Sequence, residues 1–368
     1  MIHRHRFAVS ILAAVAALLA SACDPRPSPG DGLAPAPLAA DTGGPPAPAP
    51  APPVTDPPRT LRGFTQECGV ALGPVPGFDC MEDAVEVPIT IGGVPVGPAD
   101  ARDDLRCDKP VMLTGNCIAY SRVGHKTGRT WDGREDPDVD WVFTCRRNTV
   151  SPGPTGGVFG DIAMIGHRKS TGETCFFQAF PTEPWTRAPA PLEPPEDTPP
   201  GAPTAEAFWL PPGSTAGIAC HRCHDNDPWI HSPWIDQARH PLDPSRTLVP
   251  PGGGRDAPYV VVGRAFRAWE KDLRHLNPAG NGCVACHRIG TGGTCGAFAR
   301  YSTGDAGFYP VSDSAAAFPA SHWMPPGAAG TEAAWDAVWG DDIAEIIACC
   351  GNPGDPACGT EAIPTARP

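Results

Sequence analysis

The chain carries one pentapeptide pattern twice: Cys220-His-Arg-Cys223-His224 and Cys283-Val-Ala-Cys286-His287. Two thiols three positions apart can reach the two vinyl groups of one porphyrin and form thioether bonds with them. The histidine that follows directly can then ligate the iron from one face of the ring. The pattern therefore predicts two covalently bound c-type haems. Because a haem is a large part of the core around it, these residues also decide which fold we expect for the C-terminal part.

The C-x-x-C-H pattern is rare enough to be specific. The chain has 15 cysteines and 11 histidines, and this composition gives roughly 0.02 chance occurrences of the pattern. A zinc site made of two C-x-x-C pairs is the alternative interpretation. That interpretation leaves the histidine after each pair without a role, so haem attachment is the preferred prediction.

The two motifs resemble those of c-type cytochromes, and the resemblance covers about residues 204–368. It implies a mainly α-helical, cytochrome c-like domain that carries both haems. It also implies electron transfer, or redox catalysis, at haem iron outside the cytoplasm. In these respects the chain is similar to di-haem c-type cytochromes.

Residues 1–22 have the pattern of an export signal. Arg4 and Arg6 precede the uncharged apolar stretch 7–20, which is too short to span a bilayer well. The next residues resemble the cleavage box of bacterial lipoproteins, in which Cys23 becomes the lipidated first residue. The box departs from that pattern at Ala20, where a larger aliphatic residue is usual, and plain secretion is the alternative. We expect an exported lipoprotein, anchored to a membrane in the periplasm or at the cell surface.

The remaining cysteines are even in number, as expected for disulfides in an oxidising compartment. After the four motif cysteines and Cys23 are set aside, they are Cys68, Cys80, Cys107, Cys117, Cys145, Cys175, Cys295, Cys349, Cys350 and Cys358. The first six and the last four lie far apart in sequence, so each group can pair internally. The adjacent Cys349 and Cys350 either bond each other or reach separate partners, for which Cys295 and Cys358 are the candidates.

The net charge of −13 argues against nucleic-acid binding, since such proteins carry basic patches. An acidic redox protein attracts a basic redox partner electrostatically. The alternative explanation is that the acidic residues only keep the protein soluble. The sequence does not name the donor or the acceptor.

Proline divides the chain into regions, because 49 of 368 residues are proline against a usual share of about 5%. Residues 23–59 are mostly Pro, Ala, Gly and Asp, which predicts an extended tether. Residues 181–203 predict a linker. The chain is therefore expected to be multi-domain, with folded regions at 60–180 and 204–368.

Region 60–180 is predicted to be a small, β-rich, disulfide-stapled domain. Residues 85–91 alternate in polarity and run into Gly92-Gly93, a hairpin signal, and residues 169–172 separate two more strands. No long helix is expected here. Short strands and six cysteines favour a sandwich or a barrel.

Region 204–368 shows two apolar stripes at helical spacing. The first contains Phe266, Trp269, Leu273 and Leu276 and stops at Pro278. The second runs over residues 335–347, with Thr331 as a candidate N-cap and Gly351 near its end.

The sixth ligands decide what each iron can do. Met324 precedes a proline and the predicted final helix, where many small c-type cytochromes have their distal methionine. The resemblance therefore implies a His287/Met324 pair for the second haem, with His322 as the competitor. For the first haem His231 is preferred, because a seven-residue extended path from His224 spans at most roughly 23 Å.

For the first haem, His275 is the alternate to His231, and an open iron site is the third outcome. Two functions follow from these choices. One is an electron carrier with a bis-His and a His/Met haem. The other is a di-haem oxidoreductase of peroxidase type with one open iron, although the two motifs lie close together in sequence for two full lobes of that family.

Overall fold

The computed structural model describes residues 49–365, except for 104, 106, 110–116, 152, 157, 233 and 296–330. The predicted signal, Cys23 and most of the tether lie outside the described residues. His322 and Met324 also lie outside them. In the described part, no helix combines the length and the apolar character that crossing a membrane requires.

The described residues form short strands joined by turns and short helices. The strands are β1 (Phe78–Asp79), β2 (Ala84–Glu86), β3 (Thr90–Ile91), β4 (Val94–Pro95), β5 (Arg122–Arg129), β6 (Glu135–Arg146), β7 (Asp161–Arg168), β8 (Glu173–Ala179), β9 (Arg187–Ala188), β10 (Arg239–His240), β11 (Asp243–Thr247), β12 (Val260–Val261), β13 (Arg274–Leu276), β14 (Ile289–Gly290) and β15 (Glu361–Ala362). The α-helices are α1 (Leu61–Leu72), α2 (Ala205–Phe208), α3 (Pro212–Ile218), α4 (Cys283–Cys286) and α5 (Glu332–Gly351). The 3-10 helices are Pro195–Asp197, Cys220–Arg222, Ile235–Gln237, Arg264–Asp272 and Pro356–Cys358.

The largest sheet has six strands in the order β12-β8-β7-β6-β5-β2. Strands β5 to β8 form an antiparallel meander. Strand β12 joins the edge in parallel, with Val260 opposite Glu173. Because β12 follows residues 181–203 in sequence, the two regions on either side of the predicted linker contribute to one sheet.

Both predicted hairpins are confirmed. Strands β3 and β4 pair around Gly92 and Gly93, whose φ values of 57° and 79° are readily adopted only by residues without a Cβ. Strands β7 and β8 pair around residues 169–172, and Gly172 has a φ of 85°.

One hydrophobic cluster extends across the predicted linker. Phe64, Trp141 and Phe177 from the N-terminal side pack in the same cluster as Trp209 and Phe266 from the C-terminal side. The ring centroids of Phe64 and Phe266 lie 5.1 Å apart, a normal distance for aromatic packing. These side chains form one core that the two regions share. The boundaries between the predicted domains stay a prediction from composition.

The prediction that residues 60–180 have no long helix is wrong, because α1 spans 12 residues there. The Thr60 side chain caps the helix by accepting a hydrogen bond from the Gly63 N–H. Leu61, Phe64, Cys68 and Leu72 are buried, and they share one face at three- and four-residue spacing. Two glycines inside the helix, which lower helix propensity, hid this pattern.

The predicted disulfide bonding is confirmed. The ten cysteines left after the motifs and Cys23 form five bonds, namely Cys68–Cys175, Cys80–Cys145, Cys107–Cys117, Cys295–Cys350 and Cys349–Cys358. Each bond stays within its own region, and the adjacent Cys349 and Cys350 reach separate partners. The small N-terminal region is therefore β-containing and disulfide-stapled, as expected.

The C-terminal region contains helices and a small sheet of order β14-β13-β15. The second stripe is confirmed as helix α5, where Thr331 accepts a hydrogen bond from the Ala334 N–H as the N-cap. The first stripe is wrong as an α-helix, because Arg264–Asp272 is a 3-10 helix and β13 begins at Arg274. Leu276 lies at the end of strand β13, and its side chain is buried in the cluster that contains Ile343 and Ile346.

The buried His167 predicts a loss of stability in acid. Burial lowers the pKa of His167 to about 4, while nearby Asp140 raises it slightly, and its Nδ1 lies 2.9 Å from Thr174 Oγ1. In the unfolded chain the imidazole takes up a proton near pH 6.5. Protons therefore favour the unfolded chain from about pH 6.5 down to about pH 4, and we expect a loss of up to about 3 kcal/mol across this window.

Urea unfolding at a series of pH values checks this expectation. The His167→Gln variant should show a flatter dependence of unfolding free energy on pH than the unaltered chain. The same change at His240, which lies beside an exposed hairpin turn, is the matched control. Equal slopes for all three proteins would contradict the assignment to His167.

Candidate functional site

The first motif forms a tight turn at the end of α3. Ala219 begins the turn with a φ of 61°, which is uncommon for a residue with a Cβ. The backbone N–H groups of Cys223 and His224 both donate to the Cys220 carbonyl, at 3.0 and 2.8 Å. The turn thus holds both cysteines and the histidine within one short segment.

Three motif thiols stand apart from the other cysteines. Cys220, Cys223 and Cys283 are free and half-buried, whereas the other described cysteines are disulfide-bonded. Burial raises the pKa of Cys220 and Cys283 to about 11 and also raises the pKa of Cys223. These thiols are therefore protonated at neutral pH.

Cys286 differs from its three counterparts, since it is disulfide-bonded in this structure. A sulfur atom in a disulfide cannot also form a thioether bond. Haem attachment at the second motif therefore requires that the bond to Cys286 be reduced first.

His224 is oriented as a metal-binding histidine would be. Its Nδ1 lies 2.9 Å from the Pro228 carbonyl oxygen, so this nitrogen carries the proton and donates. Metal-binding histidines commonly use such a bond to fix the tautomer and the ring direction. The Nε2 atom has no hydrogen-bond partner among the described residues, and burial lowers the pKa of the ring to about 4. A neutral imidazole with a free Nε2 lone pair results.

Two buried aromatic residues support His224. The Phe176 ring meets the imidazole edge-on, with centroids 5.6 Å apart. The Tyr259 hydroxyl donates to the His224 carbonyl at 2.9 Å. The sequence predictions missed Phe176, Pro228 and Tyr259, although the Pro-Trp pair that follows the motif was a visible signal of a turn back towards it.

His287 follows the short helix α4. Its backbone N–H donates to the Cys283 carbonyl at 2.9 Å, and burial lowers the pKa of its imidazole. The second motif thus has the same compact backbone bond between its first cysteine and its histidine as the first motif has.

The structure brings the two motifs together at the residues that follow them. Asp225 accepts hydrogen bonds from the Gly292 N–H and from the Thr294 hydroxyl, each at 2.5 Å. Asn226 donates to the Arg288 carbonyl. Residues next to His224 therefore touch residues next to His287.

His231 is engaged by protein acceptors at both ring nitrogens. Its Nδ1 lies 2.9 Å from Asp236 Oδ1 and its Nε2 lies 3.0 Å from the Pro250 carbonyl oxygen. Burial acts to lower the pKa of His231, but the hydrogen bond and charge of Asp236 outweigh it and raise the pKa. Ligation of the first iron through Nε2 therefore requires the contact with the Pro250 carbonyl to break, whereas the contact of Nδ1 with Asp236 is compatible with ligation.

His275 lies on β13, opposite Gly290 of β14, and is therefore beside the second motif. Its Nδ1 lies 3.3 Å from the Leu276 carbonyl oxygen, and its Nε2 lies 3.9 Å from Glu361. His275 is thus buried, and its Nε2 has only the long contact with Glu361. Met324 and His322 lie outside the described residues.

Among the described residues, no group of three or more His, Cys, Asp and Glu side chains is arranged to hold a metal ion. A structural zinc needs four such ligands, whereas a haem iron takes only axial ligands from the protein. No protein-family model, curated protein or solved structure matches this chain, so functional inference depends on its own residues.

Proposed function

We propose that this protein is an exported electron carrier that binds two c-type haems. The observation that carries the proposal is the bond between His224 Nδ1 and the Pro228 carbonyl, 2.9 Å long. It leaves the other ring nitrogen, Nε2, available, and His224 shares one tight turn with the two free thiols of Cys220 and Cys223. This combination is the donor set that covalent haem attachment and axial ligation require.

When bound, each haem supplies an iron that gains or loses one electron. The residues of the chain attach, orient and shield it. Cys220 and Cys223 would hold the first haem, Cys283 and, once its disulfide is reduced, Cys286 would hold the second, and His224 and His287 would be the proximal ligands. The buried aromatic side chains around His224 keep water away from it, which limits reorganisation of the surroundings when charge changes.

Contact between the two motifs supports transfer from one haem to the other. Residues shortly after His224 hydrogen-bond to residues shortly after His287, so the two motifs belong to one packed unit. A bis-His haem would receive the electron and a His/Met haem, which has the higher potential, would pass it on. Donor and acceptor are redox proteins, since the chain would hold the haems in its own core.

The proposed carrier is anchored to a membrane through its N-terminal region. Cys23 would carry the lipid, and the tether would separate the folded part from the membrane surface. The partners would then be met in the periplasm or at the cell surface. Nucleic acid would not be among them, given the net charge of −13.

A di-haem oxidoreductase of peroxidase type is the second candidate. The engagement of His231 Nε2 by the Pro250 carbonyl favours it, because the first iron lacks its preferred sixth ligand as long as this contact is kept. An open iron could take up hydrogen peroxide. Reduction of peroxide to two waters consumes two protons and two electrons, which a reduced redox protein would supply.

A redox titration followed by absorbance separates these functions. The carrier predicts low-spin spectra for both haems in both oxidation states, and no rapid turnover with peroxide. A high-spin fraction with peroxide turnover would replace the carrier by the oxidoreductase. A preparation that keeps no haem after denaturation would overturn both.

The Met324→Ala variant tests the second haem. A thioether ligand to ferric iron gives a weak charge-transfer band in the near infrared, and we expect the variant to lose it. Loss of this soft ligand should also lower the potential of one haem. His322→Ala is the matched control, and a band that persists in Met324→Ala would assign the sixth ligand elsewhere.

A further inference from the structure

A buried carboxylate joins the two motifs. Asp225 directly follows His224 and is only 1% exposed. Its two oxygens accept from the Thr294 hydroxyl and the Gly292 N–H, each at 2.5 Å. Burying a carboxylate is costly unless it is well hydrogen-bonded. Apolar packing alone therefore does not explain an aspartate at this position, and its two hydrogen bonds are the contacts to consider.

Two further contacts follow in sequence order. The Asn226 side chain donates to the Arg288 carbonyl, and Asp227 Oδ2 lies 3.4 Å from Arg288 Nη2. The Arg288 guanidinium also donates to the Ala257 carbonyl at 2.5 Å. Three consecutive residues after the first histidine thus bind a segment that starts directly after the second histidine.

Glycines allow this close approach. A Cβ built on Gly290 would lie 2.2 Å from the Asp225 carboxyl carbon, and one on Gly293 would lie 2.6 Å from the Arg222 carbonyl oxygen. Neither distance is sterically possible without movement. The segment therefore reaches the first motif only because these positions lack side chains.

We propose that this cluster of Asp225, Asn226, Asp227, Arg288, Gly292 and Thr294, called the inter-motif clamp, sets the separation and relative orientation of the two haems. The inference deepens the proposed function and depends on it. Hydrogen bonds are directional, so the clamp restricts rotation between the motifs in a way that apolar packing does not. Asp225 is a positioning residue, because it acts through its neighbour His224 and its contact with the second segment.

Circular dichroism of the haem-loaded full chain tests the clamp. Two haems at a fixed separation and angle couple their Soret transitions and give a two-signed band. We expect the unaltered protein to show this band and the Asp225→Ala and Gly290→Ala variants to lose it. Asp225→Asn, which retains one acceptor oxygen, should recover part of it. Asp243→Ala, at an exposed turn, is the matched control and should leave the band unchanged.

The amount of covalent haem that remains after denaturation distinguishes failure of the proposed function from failure of the inter-motif clamp. Absence of haem from the unaltered chain would overturn the proposed function itself. Two haems without a two-signed band, or a band unchanged in both Asp225→Ala and Gly290→Ala, would overturn the clamp alone. Exchange of the Gly292 amide hydrogen is a second measurement, and it should accelerate in Asp225→Ala because its acceptor is removed.

Discussion

Replacing Cys220 and Cys223 by serine should remove about half of the covalently bound haem from the protein. A serine hydroxyl does not add to a haem vinyl group, so the first motif loses its attachment while the second motif keeps its own. The measurement is the ratio of haem to protein after denaturation and organic extraction, which removes haem that is not covalently held. The paired change at Cys283 and Cys286 should have the same effect at the other site.

The matched control is His240→Ala, a histidine outside both motifs on the β10–β11 hairpin. It should leave the ratio unchanged. His224→Ala should keep the covalent haem but convert the first iron to a high-spin spectrum, because thioether bonds and axial ligation are separate. An unaltered ratio in the double serine variant would contradict the assignment of the first motif.

Removing the Cys68–Cys175 bond should destabilise the fold more than removing the Cys349–Cys358 bond. The first pair is separated by 107 residues and the second by 9. A disulfide restricts the unfolded chain more when it closes a longer loop, which gives about 4.7 kcal/mol for a loop of some hundred residues. The difference between the two bonds is expected to be about 2 kcal/mol.

Paired alanine variants of each bond and denaturant unfolding provide the test. Alanine suits Cys68 and Cys175 because both are fully buried, where a serine hydroxyl would lack partners. The Cys349 and Cys358 pair is the matched control within the same chain. Equal losses of unfolding free energy from both paired variants would show that loop length does not govern these bonds.

Secondary-structure elements were predictable from the sequence where residues close together in the chain decide the structure. Helix α5 followed from its apolar stripe and its Thr331 cap, and the two hairpins followed from their glycines. The prediction of an α-helix for the stripe that contains Phe266 and Trp269 was wrong. The three-residue spacing of these two residues also suits a 3-10 helix, which ends at Asp272. The residues between it and Pro278 form strand β13 instead of continuing the helix. Helix α1 was missed because its internal glycines lowered its propensity, while tertiary packing of Phe64 and Leu72 stabilises it.

The candidate site divides along the same line. The motif residues and the pairing of the ten cysteines outside the motifs were readable from spacing and parity, which are properties of the linear chain, whereas the disulfide bonding of Cys286 was not. The acceptor for His224, the commitment of His231 to Asp236 and the clamp around Asp225 were not. Each joins residues whose contact depends on a turn or on a distant segment.

The pairing of the ten cysteines outside the motifs is therefore a property that this amino-acid sequence indicates alone, because their even number and their positions limit which bonds can form. Tertiary structure decided that β12 completes the main sheet and that the two motifs meet through Asp225. Those contacts join residues far apart in sequence, and their energies come from burial and directional hydrogen bonds that exist only in the folded chain. No local pattern in either segment carries that information.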